Sequence, residues 1–190
     1  MSTHSFSVFF ALLALATWIG TIGAIVVLVA HARAPESGPG RLFDDLAPAA
    51  LGIAALVAVV TTLGSLYYSK IAHFTPCELC WYQRICMYPL SLLLTIAAAR
   101  RDRGIWRYVV PLAAIGFCFS IYHTQLQAFP SQHSSFCTTI EPCTIRYVWE
   151  FGFVSLPFMA LSAFSIIMVL MLVARASEKE HEHTDELASP

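Results

Sequence analysis

Charged side chains are scarce in this sequence, and their scarcity restricts the class of protein. Only 12% of the 190 residues are Asp, Glu, Lys or Arg, whereas 57% are hydrophobic. Because an ordinary soluble domain has about 25% charged residues, this composition argues against a soluble domain and predicts an integral membrane protein. The net charge is −1 and no basic stripe is present, so nothing indicates a nucleic-acid partner.

Cysteine, glycine and proline are also too few for several classes of protein. Six cysteines in 190 residues fall far below the ~8–10% of a disulfide scaffold. Nine glycines and ten prolines do not suit a fibrous or low-complexity chain. The sequence has long apolar runs instead, and four of the six cysteines lie in segments that flank those runs.

Five apolar runs predict five membrane-spanning helices, at 6–32, 46–68, 79–99, 108–125 and 151–174. The first run contains no Asp, Glu, Lys or Arg, and at about 1.5 Å per residue it is long enough to cross a bilayer. A cleaved secretory signal is the alternative, but the run is longer than a signal core and no Lys or Arg precedes it. The hydrophilic segment 175–190 is predicted to be a disordered cytoplasmic tail.

The basic residues predict how these helices are oriented. If the basic turn at 100–107 is cytoplasmic, eight of the eleven Lys and Arg residues lie on that side of the membrane. They are Arg33, Arg41, Arg100, Arg101, Arg103, Arg107, Arg175 and Lys179. This distribution follows the positive-inside pattern. It puts both pairs of flanking cysteines on the extracytoplasmic side, where disulfides persist.

The first cysteine pair stands between the second and third apolar runs, in the stretch TPCELCWYQR at 75–84. Cys77 and Cys80 have the spacing of a redox-active disulfide, of half a zinc site or of a structural bond. A helix that starts near Cys77 stabilises a thiolate there. Arg84, one turn after Cys80, adds a permanent positive charge. At membrane depth an arginine is a functional candidate, and a snorkelling interfacial residue is the alternative.

A second cysteine pair lies in the polar segment 127–150. Five residues separate Cys137 from Cys143, which fits a small disulfide-closed loop. Such a loop is either a structural staple or a second pair that exchanges with the first one and with a partner. Cys86 and Cys118 fall inside predicted helices and are interpreted as packing residues. His123, taken alone, is interpreted as an interfacial histidine.

Several short motifs accompany the two cysteine pairs in a fixed order. They are GSLYYS at 64–69, TPCELCWYQR at 75–84, MYPL at 87–90, HTQLQ at 123–127, the Cys137/Cys143 loop, WEFG at 149–152 and LP at 156–157. Together they cover residues 46–174 and resemble the bacterial disulfide-bond formation protein B family (DsbB), in particular its BdbC-like branch.

The resemblance implies an all-α integral membrane protein of the bacterial cell membrane. Its core is a four-helix transmembrane bundle at 46–174, which one extra transmembrane helix and a cytoplasmic loop precede at 1–45. The implied activity is that of a thiol:quinone oxidoreductase, which supports disulfide formation in other proteins. It reoxidises a thioredoxin-like thiol oxidase of the DsbA or BdbD type outside the cytoplasm and passes the electrons to ubiquinone or menaquinone.

The resemblance also implies a role for each site residue. Cys77 and Cys80 match the pair that reduces quinone, with Cys80 as the thiolate that contacts the quinone ring. Arg84 matches the quinone-associated arginine of the family, and His123 is expected near the quinone. The remaining pair matches the cysteines that react with the partner, and Cys137 is expected to form the mixed disulfide with it. No metal ligand is implied.

Two features depart from the family pattern. The run at 6–32 lies outside the four-helix core, and the Cys137/Cys143 loop is short, as in the BdbC-like branch. In longer-looped members the second loop cysteine can pair with the first cysteine of CxxC, a movement that a short loop disfavours. Three other interpretations stay open: a metal-handling membrane protein with cysteine ligands, a membrane anchor with structural disulfides, and the same relay run in the reductive direction.

Overall fold

The protein is a bundle of five α-helices in the computed structural model, which describes residues 3–132, 136–137 and 142–188. The helices are α1 (Thr3–Arg33), α2 (Gly38–Lys70), α3 (Glu78–Arg100), α4 (Trp106–Ala128) and α5 (Leu156–Ala188). A 3-10 turn, Arg103–Ile105, leads into α4. Over the described residues the chain forms no strand, only an isolated bridge between Glu150 and Val154. The predicted all-α fold is confirmed.

Four helical stretches are long and apolar enough to cross a membrane. They are Thr3–Arg33, Gly38–Lys70, Arg103–Ala128 and Leu156–Lys179. The fifth helix, α3, has 23 residues, which at about 1.5 Å per residue is also enough to span a bilayer. Its first turns are more polar, because they contain Glu78, Gln83 and Arg84.

Local signals in the sequence explain where the helices begin. Ser37 caps α2, since its hydroxyl accepts a hydrogen bond from the backbone N–H of Gly40 at 3.1 Å, and Pro39 in the first turn suits a helix start. The helix therefore begins eight residues before the predicted apolar run at 46, and most of the predicted loop at 33–45 is helical. Cys77 is the N-cap of α3, as the sequence predicts.

Small residues allow the helices to approach one another closely. On α2 a stripe of buried alanines, one or two per turn, faces the interior: Ala47, Ala50, Ala54 and Ala58. α5 supplies the large side chains of the core, including Phe164, Ile167 and Leu170. Gly116 of α4 faces Phe164, and a Cβ at this position would lie 2.3 Å from the Phe164 ring. Only glycine permits this contact between α4 and α5.

The first helix is packed into the bundle, against α2 and α5. Phe6 stacks on Tyr67 with the ring centroids 4.1 Å apart. The Tyr68 hydroxyl donates a hydrogen bond to Ser7 Oγ at 3.3 Å. The arrangement of a helix added to the N-terminal side of four others agrees with the predicted fold class.

The basic turn before α4 and the segments that contain the two cysteine pairs lie at opposite ends of the bundle. At one end, the turn before α4 is tied to α5, since Arg103 Nη1 donates to Ser177 Oγ at 2.7 Å and Trp106 Nε1 donates to Glu178 Oε2 at 2.9 Å. We call this the basic end. The segments 71–77, 129–132 and 142–155 lie at the other, together with Cys137, and we call it the cysteine end. Which end faces the cytoplasm stays a prediction.

The last helix differs from its predicted limits at both ends. It begins at Leu156, after a turn in which Phe151 and Gly152 have φ of 53° and 81°. It continues to Ala188, whereas the sequence predicts disorder over 175–190; residues 189–190 lie outside the described part of the chain. Ala, Glu and Lys favour helix, and a helix already nucleated by packing extends at low cost. The contacts of Ser177 and Glu178 hold the start of this extension.

Candidate functional site

The Cys77–Cys80 pair lies at the first turn of α3. The spacing of three residues puts both side chains on one side of the helix start, and the two sulfur atoms are 3.1 Å apart as free thiols. Cys77 is buried, and Cys80 is partly exposed. The pair is close enough to interconvert between dithiol and disulfide with only a small movement of the side chains.

His123 of α4 connects this pair to the second one. Its Nε2 lies 3.6 Å from Cys77 Sγ and 3.1 Å from the carbonyl oxygen of Cys143. Its Nδ1 lies 3.1 Å from Gln83 Nε2. One neutral tautomer satisfies all three contacts, with Nδ1 accepting from Gln83 and Nε2–H directed at the carbonyl and the sulfur. The imidazole is only 1% exposed, so these contacts fix its orientation.

Electrostatics make Cys77 the more acidic thiol of the pair. The Cys80 thiol, as hydrogen-bond donor to the Cys77 sulfur, lowers the pKa of Cys77 to about 4, and His123 contributes in the same direction although burial opposes it. A cysteine with so low a pKa is a thiolate at neutral pH. Cys77 is thus the more acidic thiol of the pair, and the role of Cys80 as the thiolate that contacts the quinone ring, which the resemblance implies, stays a prediction.

Arg84 is braced against α2 and does not extend freely into solvent. Its Nε donates to Ser65 Oγ at 3.0 Å, and its Nη2 donates to the Ser65 carbonyl at 3.1 Å. The guanidinium lies 5.4 Å from the centroid of the Trp81 ring. Over the described part of the chain, no carboxylate forms an ion pair with it. Its charge is therefore held in place and left available to a ligand.

Cys80 and Arg84 line a cavity of about 540 Å³ between α1, α2, α3 and α5. Gln83, Ser65 and Tyr88 also line the cavity from α2 and α3, whereas most of the remaining wall is apolar. Ligand sites commonly have volumes of about 300–1,000 Å³, with apolar walls and a few convergent polar groups. The cavity has the size and the polarity of a site for an apolar molecule with a polar head.

The second pair is a disulfide between Cys137 and Cys143, whose Cα atoms lie 5.9 Å apart. Cys143 is buried in a small cluster with Cys77, Leu79 and Leu126, and Cys80 and Cys137 pack against this cluster. The two pairs, 57 or more residues apart in sequence, are thus neighbours at the cysteine end.

The segment after Cys143 is hydrogen-bonded to the end of α4. Gln127 Nε2 donates to the carbonyl of Ile145 at 2.8 Å. Arg146 Nε in turn donates to the carbonyl of Gln127 at 2.7 Å, and its guanidinium lies 3.9 Å from the centroid of the Trp149 ring. These contacts keep Cys143 and its carbonyl close to His123.

The predicted site residues therefore form two adjoining groups. Cys77, Cys80, Cys137, Cys143 and His123 are in contact at the cysteine end, and Arg84 lies in the cavity that Cys80 also lines. His123 faces Cys77 and is not part of the cavity wall, so its expected closeness to a quinone stays a prediction.

Sequence reasoning missed Ser65 and Gln83, although both lie in the motifs at 64–69 and 75–84. The signal was a polar side chain within an otherwise apolar run. Of the two remaining cysteines, Cys86 is buried in the core as predicted. Cys118 is exposed on α4, so its interpretation as a packing residue is wrong.

The site also has a donor set that suits a metal ion. The Sγ atoms of Cys77 and Cys80 and a ring nitrogen of His123 all lie within 4.8 Å of one another. Two thiolates and an imidazole are the ligands that Zn²⁺ prefers, although a closed zinc site has four ligands.

Comparison with known proteins identifies the family. The family model for "Disulfide bond formation protein DsbB" matches residues 47–174. The disulfide bond formation protein C of Bacillus subtilis is 44% identical over 126 residues, which are 66% of this chain and 91% of that protein.

Two further relatives agree with this match. A probable disulfide formation protein of Coxiella burnetii is 44% identical over 65% of this chain and 86% of its own length. A probable disulfide formation protein C of Bacillus cereus is 48% identical over 60% of this chain and 83% of its own length. No solved structure gives a significant match. The chain therefore belongs to the DsbB family of membrane disulfide bond formation proteins, and its relatives assign it to the BdbC-like branch.

Proposed function

We propose that the protein is a thiol:quinone oxidoreductase that reoxidises a thioredoxin-like thiol oxidase of the DsbA or BdbD type. The observation that carries this proposal is the position of Cys80. It lines an apolar cavity beside Arg84, and its partner Cys77 contacts the cluster that contains the second pair. One dithiol thus adjoins both a site for an apolar oxidant and a disulfide in a polar loop.

The first step of the proposed relay takes place at Cys137 and Cys143. A thiolate of the reduced partner attacks Cys137, the bond between Cys137 and Cys143 breaks, and Cys143 leaves as a thiolate. The second thiol of the partner then attacks the mixed disulfide. The partner leaves with a disulfide, and the loop pair has gained two electrons and two protons.

The second step moves those electrons to the Cys77–Cys80 disulfide by exchange through a mixed disulfide between the pairs. His123 is the residue that supports this step, because its Nε2 is close to Cys77 Sγ and to the Cys143 carbonyl. In the proposal its Nε2–H donates to the sulfur of Cys77 as that sulfur becomes the leaving thiolate. Gln83 keeps the ring in the required tautomer.

The cavity is the proposed quinone site, since its volume, its apolar wall and the polar groups at α3 fit such a molecule. A quinone held there would supply the two-electron acceptor for Cys77 and Cys80, which would close their disulfide as they give up two electrons and two protons. Arg84, fixed by Ser65, would hold the ring by a charge-assisted hydrogen bond to one of its oxygens.

The proposed location is the bacterial cell membrane, with the cysteine end on the extracytoplasmic side. The basic end carries eight of the eleven Lys and Arg residues, which supports a cytoplasmic basic end. The partner then reaches the Cys137/Cys143 loop from outside the cell.

Quinone reduction by the purified protein tests the proposed function. The protein in lipid nanodiscs, a reduced thioredoxin-like oxidase and a quinone are mixed, and loss of quinone absorbance is followed together with the thiols of the partner. We expect one quinone to be reduced for each disulfide formed in the partner, and no reduction by Cys80→Ala. Cys118→Ala is the matched control, because Cys118 is a free cysteine on the exposed side of α4. A wild-type protein that oxidises no partner thiol, or a quinol that reduces the oxidised partner instead, would contradict the proposed direction.

A second candidate function is metal handling, which the clustering of Cys77, Cys80 and His123 favours. Metal analysis of the purified protein separates the two functions. A stoichiometric metal ion that is retained through purification and lost in His123→Ala would favour metal handling. Metal below one ion per ten chains, with quinone reduction intact, would leave the oxidoreductase as the function.

A further inference from the structure

The first helix lies outside the part of the chain that the family match explains. The match covers residues 47–174, and the alignment with the Bacillus subtilis protein covers 91% of that protein. Less than a tenth of that relative thus stays unaligned, and α1 has 31 residues. The role of α1 therefore depends on its own contacts in this chain.

Five residues of α1 form one wall of the cavity that Cys80 and Arg84 line. They are Phe9, Phe10, Leu13, Ala14 and Thr17. They recur at intervals of three and four residues, so they belong to a single face of the helix. The opposite wall comes from α2 and α3, and α5 contributes the remainder through residues such as Leu156 and Ala160.

Close packing fixes this face of α1 against the cavity. A Cβ on Gly64 of α2 would lie 2.9 Å from the Phe10 ring, so Phe10 occupies the space that any other residue at 64 would need. Nearer the end of the helix, Ser7 accepts a hydrogen bond from Tyr68, another residue of the cavity wall. On the α5 side, Trp18 lies against Phe158 with the ring centroids 6.3 Å apart.

The cavity wall is chemically divided. The polar groups of the wall lie mainly on α3, where Cys80, Gln83 and Arg84 line the cavity, and on the facing part of α2, where Ser65 contacts Arg84. α1 offers one hydroxyl, that of Thr17, and it already donates to the Leu13 carbonyl at 2.7 Å. The remaining surface of this wall is aliphatic and aromatic. A bound quinone is thus expected to direct its ring towards α3 and its isoprenoid chain along α1.

We infer that α1 is the wall of the quinone site that holds the isoprenoid chain, so that this protein selects acceptors by their tail. The inference rests on the proposed quinone reduction and names the part of the substrate that the extra helix recognises. Burial of one branched aliphatic group contributes about 1.5–3 kcal/mol. Loss of one isoprenoid unit from the wall should therefore weaken binding about tenfold or more.

The test introduces a larger side chain on the cavity face of α1 and compares two acceptors that have the same ring. Leu13→Trp adds bulk on the cavity face, and Ile19→Trp adds the same bulk at a position of α1 that is 73% exposed and outside the cavity wall. The acceptors are a long-chain quinone and its tail-less analogue. We expect Leu13→Trp to raise the KM for the long-chain quinone relative to the KM for the analogue about tenfold. Ile19→Trp should leave this ratio unchanged.

Ligand-induced stabilisation gives a second measurement that needs no turnover. The long-chain quinone should raise the unfolding temperature of the wild-type protein and of Ile19→Trp, and raise that of Leu13→Trp much less. The unfolding temperatures without quinone show whether Leu13→Trp folds. If it does not, Thr17→Leu, which also adds apolar bulk to the wall, takes its place in both measurements.

The outcomes separate this inference from the proposed function. Equal changes for both acceptors, or no change for either, would overturn the role of α1 while quinone reduction stands. A wild-type protein that reduces neither acceptor, and is stabilised by neither, would overturn the proposed function itself together with the inference.

Discussion

Replacement of Arg84 by alanine removes the one permanent charge among the described residues that line the cavity. The guanidinium is held by two hydrogen bonds to Ser65, at 3.0 and 3.1 Å, so its position is set before a ligand arrives. A hydrogen bond from a charged donor contributes about 1.5–3 kcal/mol. If Arg84 donates one such bond to a quinone oxygen, Arg84→Ala should raise the KM for quinone about 10- to 150-fold.

Two further variants relate this effect to the structure. Arg84→Lys keeps the charge but loses the planar, two-point contact with Ser65, so its KM should lie between those of the wild type and Arg84→Ala. Ser65→Ala removes one of the two hydrogen bonds that position the guanidinium. If that bond contributes about 1 kcal/mol to quinone binding, its loss should raise the KM for quinone about fivefold.

Steady-state quinone reduction with a saturating reduced partner is the assay, and thermal unfolding shows whether each variant is folded. Reduction of the loop disulfide by the partner should be as fast in Arg84→Ala as in the wild type, because the contacts of Arg84 with described residues are made with Ser65 and Trp81. A KM for quinone in Arg84→Ala within twofold of the wild-type value would refute the reasoning and leave Arg84 as an interfacial residue.

Three other predictions test separate parts of the account. Because the pKa of Cys77 is lowered to about 4, a titration of thiolate absorbance in the reduced protein should show one thiolate at neutral pH. The folding stability that this thiolate contributes is complete above pH 9, the ordinary pKa of a cysteine, and is lost as the pH falls towards about 4. His123→Ala should raise the pKa of Cys77 and so move the midpoint of the thiolate titration to higher pH. Cys143→Ala should accumulate a covalent adduct between Cys137 and a thioredoxin-like partner on a non-reducing gel, and trapping on Cys77 with a dispensable loop pair would contradict the relay order. Cysteines introduced near Gly104 should be labelled from the cytoplasm only and those near Ser131 from outside only; labelling of both from one side would reject the orientation.

The helices themselves could be predicted from the sequence because each is a long apolar run between polar segments. The start of α3 at Glu78, with Cys77 as its cap, followed from the position of the cysteine pair. The limits of α2 and α5 were less accurate. Ser37 and Pro39 start α2 before its apolar run begins, and α5 continues past its apolar run because its polar residues still favour helix.

The tertiary contacts of the site could not be predicted from local sequence patterns. His123 and Cys77 are 46 residues apart, and only the packing of α4 on α3 brings them to 3.6 Å. The cavity wall on α1 was equally hidden, because a lipid-facing helix and a cavity-lining helix are both apolar in sequence. Ser65 and Gln83 had recognisable positions in the motifs, but their hydrogen bonds to Arg84 and His123 required the structure.

The number of quinones that the fully reduced protein consumes without its partner tests the relay most directly. We expect both dithiols, Cys137/Cys143 and Cys77/Cys80, to pass their electrons through Cys80 to a single quinone site. Under anaerobic conditions the reduced wild-type protein should therefore reduce two quinones per chain, and a double variant with alanine at 137 and 143 should reduce one. The corresponding double variant at 77 and 80 should reduce none. Quinone reduction by that last variant, or a wild-type count of one, would contradict the proposed path of electrons from the loop pair through Cys77 and Cys80 to the cavity.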